Sequence, residues 1–178
     1  IFINALGDYL ITESDFTYNE AILGGAAYLN VENNATIDYS TFDYNKAVQG
    51  GAIYIAANKN RIANSNFNYN NATYSIRVDR GNDERKTKGG AIYIAGKDNV
   101  VKDSKFYNNT AVATNESTEI IQTIPGLLGA YLKTTGVDDD GLGGAIYIEG
   151  NNNQIISDEF DYNVARNGSA IYNDASGT

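Results

Sequence analysis

The chain contains no cysteine and no histidine, and only one proline in 178 residues. Without cysteine it forms neither disulfides nor thiolate metal sites. Without histidine it lacks the usual general base near neutral pH and the usual zinc ligand. Basic residues are scarce as well: 13 Lys and Arg against 22 Asp and Glu give a net charge of −9. A nucleic-acid surface needs a basic patch to displace counterions, so nucleic acid is not an expected partner. No apolar run approaches the roughly 20 residues needed to span a bilayer. There is no signal peptide and no initiator Met, and the chain opens on IFINA; it is expected to be a mature or excised fragment of a larger surface protein.

Asn is abundant, and Tyr and Gly reach 14 and 18. A helical bundle would use more Leu, Glu and Lys, whereas this mixture suits strands and tight turns. The length allows one domain with a real core, taken as residues 1–178.

One sentence is written repeatedly. GGAIYIAANKNRIANSNFNYNNA starts at Gly50, GGAIYIAGKDNVVKDSKFYNNTA at Gly89, and GGAIYIEGNNNQIISDEFDYNVA at Gly143. A Phe-x-x-Asn element begins at Phe16, Phe42, Phe67, Phe106 and Phe160, with alanine two residues after each Asn. A Gly-Gly-Ala element begins at Gly24, Gly50, Gly89 and Gly143, with Gly168-Ser169-Ala170 as a variant. The unit is 25 or 26 residues, broken by insertions of 14 and 29 residues. Such self-similarity marks a solenoid.

Within the unit, Ala-Ile-Tyr-Ile alternates with period two, as a two-faced strand does. A polar turn follows, then a second apolar pair around Ile62, Val100 or Ile155, extended by the Ser or Asp before each Phe. The Asn of Phe-x-x-Asn is read as a turn residue, since Asn tolerates left-handed backbone. A unit this short cannot bury a face alone, so units stack, strand on like strand, into a parallel β-helix of about five to six rungs. The predicted interior holds Ile53, Ile55, Ile92, Ile94, Ile146 and Ile148, with a stack of the five Phe. Tyr28, Tyr54, Tyr93, Tyr147 and Tyr172 are predicted as an outer ladder; the opposite strand phase would bury them with the small Ala and expose Ile. Asn19, Asn45, Asn70, Asn109 and Asn163 are predicted to bond from rung to rung.

The paired Phe-x-x-Asn and Gly-Gly-Ala-Ile signatures resemble the repeats of the chlamydial polymorphic membrane proteins. The fuller form, GGAIYI-x-G-x-N-x-I-x-x-S-x-F-x-x-N-x-A, is similar to adhesin-like surface proteins of methanogenic archaea. The resemblance covers nearly the whole chain outside the insertions. It implies a right-handed, all-β parallel β-helix at the cell surface, with adhesion as the usual role, and it carries no binding residues to transfer. Departures are Ser169 in the last copy, Ala27 in place of Ile, and Asp158 in place of Ser. The same fold also hosts polysaccharide-cleaving enzymes, so fold alone does not decide function.

Both insertions lie between the Phe-x-x-Asn turn and the next Gly-Gly, so both are predicted to leave one edge as neighbours, where function is usually placed. The first, about 73–88, holds five of the 13 basic residues, including Arg77, Arg80 and Arg85. It reads as a solvated hairpin or as a basic patch for an anionic glycan. The second, about 112–142, spaces Ile120, Ile121, Ile124, Leu127, Leu128, Tyr131 and Leu132 as on a helix, with Ser117 as a cap and Pro125, Gly126 and Gly129 as interruptions. It is predicted as a broken short helix against the solenoid flank, with an exposed apolar patch for a partner as the alternative. Asp138, Asp139 and Asp140 are a candidate Ca²⁺ site, though without the alternating spacing of an EF-hand loop. No other cofactor is expected. Sequons stand at Asn34, Asn71, Asn108, Asn115 and Asn167, with Asn115 read as the accessible one.

These features point to a non-enzymatic, extracellular or cell-surface adhesin or stalk module, holding a glycan or protein of another cell through loops on one edge. A polysaccharide lyase or glycoside hydrolase is the enzymatic alternative and needs grouped carboxylates. Asp15, Asp43 and Asp161 are scattered, leaving Asp138–Asp140 near Arg77, Arg80 or Arg85 as the one candidate constellation. Open solenoid ends make end-to-end self-association a third reading.

Overall fold

Alternating Ile and Tyr, short strands and corners every few residues build a coil of parallel strands in which each turn of chain lies on the turn before. The computed structural model describes residues 1–32, 34–73, 87–112, 116–122, 131–136 and 141–176. The described segments contain strands and no helix, and none is a helix long and apolar enough to cross a membrane.

Four parallel sheets run the length of the solenoid. The first, called the tyrosine sheet, stacks Phe2–Leu6, Ala27–Glu32, Ile53–Ile55, Ile92–Ile94, Ile146–Ile148 and Ile171–Asn173. A second holds Tyr9–Thr12, Ala35–Asp38, Arg61–Ala63, Val100–Lys102 and Gln154–Ile156. The third, the phenylalanine sheet, holds Asp15–Thr17, Thr41–Asp43, Asn66–Asn68, Lys105–Tyr107 and Glu159–Asp161. The shortest stacks Lys46–Ala47, Asn71–Ala72, Thr110–Ala111 and Val164–Ala165. Register matches like with like: Ile53, Ile92 and Ile146 pair in sequence, as do Phe42, Phe67, Phe106 and Phe160. The parallel β-helix and its rung count are therefore as predicted.

The predicted isoleucines fill the interior, none more than 6% exposed. The phenylalanines stack at 4.8–5.0 Å between centroids and within 11° of parallel. Burying one Phe fully contributes about 1.5–3 kcal/mol, and ring stacking adds about 0.5–1.5 kcal/mol.

Corners differ from expectation. The left-handed residue is not the Asn of Phe-x-x-Asn but the one before it: Tyr18, Tyr44, Tyr69, Asn108 and Tyr162 have φ between 53° and 56°. This step back lets the Asn side chain turn inward. Each Asn before the last, Asn163, gives both its backbone N–H and its Nδ2 to Oδ1 of the Asn one rung on, as in Asn70 to Asn109 at 3.0 Å for both bonds. Nδ2 also reaches the Phe carbonyl one rung back, at 2.8 Å from Asn70 to Phe42. The motif thus works between rungs: the Phe carbonyl of one accepts from the Asn of the next.

The residue two before each Phe, expected to extend a strand, instead lies between two sheets. The backbone N–H of Ser14, Ser40 and Ser65 donates to the serine Oγ one rung on at 3.2–3.3 Å, and Ser104 ends the series on Asp158 Oδ1 at 2.7 Å. A second Asn ladder, Asn60 to Asn99 to Asn153, lines the corner after the tyrosine sheet. Its signal was the last Asn of AANKN, AGKDN and EGNNN. At the glycine corner Gly50 has φ of +62°, and a Cβ on Gly51 would collide with the Gly90 carbonyl oxygen. The first glycine provides the turn and the second lets two rungs close up.

The second insertion contradicts the helical reading. Glu116–Gln122 and Tyr131–Gly136 pair antiparallel, Glu116 opposite Gly136, with a register shift between Ile120 and Gln122. The first segment contains Thr118, Ile120 and Ile121 and the second Thr134 and Thr135, and these β-branched residues favour extended backbone. The Pro and two glycines counted as helix interruptions lie in the sequence between the strands.

Candidate functional site

Each rung passes from the phenylalanine sheet through the Tyr18–Tyr162 corner, the short sheet and a brief link to the glycine corner and the tyrosine sheet. Both insertions fall in that link. The first follows Asn71–Ala72, the second follows Thr110–Ala111, and these strands pair on consecutive rungs. The chain re-enters in step: Gln49, Lys88, Leu142 and Asn167 form successive parallel bridges, and Leu142 N–H donates to the Thr87 carbonyl at 2.9 Å. The roots of the two insertions are neighbours on one edge, as predicted.

Two aromatic columns flank this edge. On the outer face of the tyrosine sheet, Phe2, Tyr28, Tyr54, Tyr93, Tyr147 and Tyr172 stack at 4.6–5.6 Å. The strand phase is as predicted, yet the middle of this ladder is not exposed. Tyr93 and Tyr147 are buried with Leu142, packed by Tyr54, Ala95 and Tyr172. Leu142 and Lys88 reach these rings from the insertion roots, and Lys88 Nζ sits 4.5 Å from the Tyr147 ring centroid and 5.8 Å from that of Tyr93. The Tyr93 hydroxyl donates to Glu149 and the Tyr147 hydroxyl donates to Asp174 at 2.6 Å. Burial first, and the accepting carboxylate second, push both phenols well above their ordinary range. They stay protonated donors at any physiological pH.

The other column was missed in the sequence. Tyr18, Tyr44 and Tyr69 stack at 4.8–5.0 Å, and Tyr107 and Tyr162 continue the line edge-on at 5.5 Å. Its signal was the Tyr inside Phe-x-x-Asn, present in every copy and shifted by one residue in the copy at Phe106. All five are exposed.

Of the predicted binding residues, Arg77, Arg80, Arg85, Asp138, Asp139 and Asp140 lie outside the described residues, as does the sequon at Asn115. Tyr131 begins the second hairpin strand. Among the other sequons, Asn34 gives its Nδ2 to Asp8 at 3.0 Å, and Asn71 has its Oδ1 buried without a partner. Asn108 takes a left-handed corner, half-buried, while Asn167 and its Ser169 are both exposed. The Thr87 hydroxyl, at the root of the first insertion, is buried and unbonded. The scattered carboxylates do not meet on neighbouring rungs: Asp15 pairs with Thr41, Asp43 with Thr17 and Asn68, and Asp161 with Tyr107.

Comparison with known families agrees with this geometry. The family model for the Chlamydia polymorphic membrane protein (Chlamydia_PMP) repeat matches residues 39–56 and 103–149. No curated protein and no solved structure matches. The first matched segment runs from the corner at Tyr39 through Phe42 and Asn45 into the Gly50 corner and the Ile53–Ile55 strand, so it includes both signatures. A repeat of this kind implies a surface or outer-membrane location. Residues 39–56 and 103–149 are similar to the polymorphic membrane protein repeat of Chlamydia.

Proposed function

We propose that this chain is a non-enzymatic adhesin module which displays its two insertions from one edge of a rigid solenoid to bind a glycan or protein on another cell. The observation that carries the reading is the placement of both insertions on consecutive rungs, at one link, on a scaffold whose other corners are joined by Asn and Ser side-chain ladders. A rigid coil presenting neighbouring loops is suited to holding a partner. The polymorphic membrane protein repeat supports the surface setting. On this reading Arg77, Arg80 and Arg85 contribute a local positive patch within an acidic protein, and Asp138, Asp139 and Asp140 a candidate calcium site. The scaffold carries the load and the insertions carry the specificity.

The test is excision of 14 residues near 73–88 and 29 near 112–142, which returns both rungs to the basic spacing. Shortening a loop does not raise its closure cost. The excised protein should melt as a cooperative solenoid and lose binding to target cells and to a glycan array. Undiminished binding would move the function to the repeated faces.

A further inference from the structure

The exposed column carries a cost that the fold does not require. Left-handed backbone favours Gly and Asn over a bulky residue, yet the corner holds Tyr18, Tyr44, Tyr69 and Tyr162, each with φ between 54° and 56°. In the remaining rung Asn108 takes the corner, with φ of 53°, and the aromatic moves one position back to Tyr107 and still meets the column. Every rung therefore keeps a ring at this surface, whether or not the backbone prefers it there. Strain held at an exposed side chain points to use of that side chain.

The chemistry of the column narrows the ligand. Stacked rings cover one another's faces, so Tyr44, held between Tyr18 and Tyr69, presents its edge and hydroxyl to solvent. Tyr107 stands 79° to Tyr69 and 72° to Tyr162, so its own faces are not used in stacking. Beside the column stand the carboxylates of Asp43 and Asp161, one residue before Tyr44 and Tyr162. The nearby cations are already committed, Lys46 to Glu20 at 3.3 Å and Lys105 to Glu159 at 3.0 Å. Phenol hydroxyls and carboxylates bond sugar hydroxyls, and a free ring face packs on the C–H face of a sugar. With Lys46 and Lys105 paired among the described residues of this row, an acidic glycan meets the like charge of Asp43 and Asp161.

We propose that the Tyr18–Tyr162 column is a binding site for an uncharged glycan chain lying along the solenoid axis, with a sugar unit packed on Tyr107. It goes beyond the adhesion reading by adding a second surface, next to the insertion edge and independent of the insertions.

The experiment titrates the full chain with uncharged hexasaccharides of glucose, mannose and N-acetylglucosamine, with oligogalacturonate as the anionic comparison. Calorimetry and tyrosine emission report binding, the latter undisturbed because the chain has no Trp. The double variant Tyr44→Asn/Tyr69→Asn gives the corner a residue it prefers, so it should fold with a melting temperature within a few degrees of the parent. At least one neutral hexasaccharide should bind, and the double variant should weaken it tenfold or more. Tyr107→Ser, outside the left-handed position, should weaken it similarly and decides the matter if the double variant unfolds. The proposal is overturned if no neutral hexasaccharide binds the parent, if the folded variants bind within twofold of it, or if oligogalacturonate binds more tightly. Cell adhesion by a parent that binds none of the neutral sugars would overturn this site and leave the adhesion reading standing.

Discussion

Asn70 and Asn109 are 39 residues apart in sequence, and Asn70 Nδ2 donates to Asn109 Oδ1 at 3.0 Å inside the solenoid. Asn70 Oδ1 also accepts the backbone N–H and the Nδ2 of Asn45, each at 3.0 Å. One side chain therefore joins three rungs. Removing it in Asn70→Ala leaves buried groups on both neighbours unpaired, at about 1–3 kcal/mol for each group. The expected loss is about 2–5 kcal/mol by chemical denaturation. Asn70→Asp keeps the shape but sets oxygen against oxygen, and should be at least as damaging at pH 7. Exposed Asn66→Ala is the control, and a loss no larger than that control would refute the ladder's role.

Phe67 stacks between Phe42 and Phe106 and has no exposed surface. Phe67→Ala should cost about 3–5 kcal/mol, as truncation of a buried Phe does. Phe16 is half-buried and stacks on Phe42. Phe16→Ala should therefore cost clearly less, as measured by urea denaturation of the two variants side by side. Equal losses would mean that the column does not act as a packed stack.

At Asp158 the serine ladder meets a carboxylate. Burial, with Asp103 adding repulsion, raises its pKa to about 6 against two backbone donors that lower it. The folded state therefore holds this proton more tightly than the unfolded chain does. That contribution to stability is complete below the ordinary pKa of 3.8 and is lost as pH rises through about 6. Asp158→Ser restores the residue type found in the other rungs. Its melting temperature should exceed the parent's at pH 7.5 and converge on it near pH 3.5. A constant difference across that range would rule out the titration.

The second glycine of each pair is a spacing device. Gly51→Ala places a methyl against the Gly90 carbonyl one rung on, with no flexible side chain to yield. Forcing those rungs apart strains the ladder bonds around them, and the variant should melt well below the parent. A melting temperature unchanged by Gly51→Ala would show that the rungs tolerate wider spacing than the structure has.

Far-ultraviolet circular dichroism should report strand with no helical signature, in line with the hairpin pairing of Glu116–Gln122 with Tyr131–Gly136. A helical spectrum would restore the reading of that insertion which the backbone overturned.

Much of this was legible because a repeat is its own guide. Ile53, Ile92 and Ile146 occupy one position in three copies, and stacking identical units must place them in one row. The insertion edge followed from the same logic. The second insertion misled because Ile120, Ile121 and Ile124 satisfy helical spacing while their β-branching favours strands, and a short apolar run does not separate the two. The exposed tyrosine column is legible inside Phe-x-x-Asn as a Tyr in every copy, but its stacking depends on which corner residue turns left-handed, which one copy alone does not show.

By itself, the sequence determined the rung, the four glycine pairs and the membership of each ladder, because copies at a fixed spacing can satisfy their strand edges only against one another. Tertiary structure decided which residue of a corner turns left-handed and which Tyr of a ladder is wet. The corner depends on a bond between rungs: Asn45 can point inward to Phe16 and Asn70 only if Tyr44 takes the turn. Burial depends on chain arriving from elsewhere, as Leu142 and Lys88 cover Tyr93 and Tyr147 while nothing comparable covers Tyr18. A unit read alone contains neither its neighbour's carbonyl nor its neighbour's side chain, and those are what set its corners and its surface.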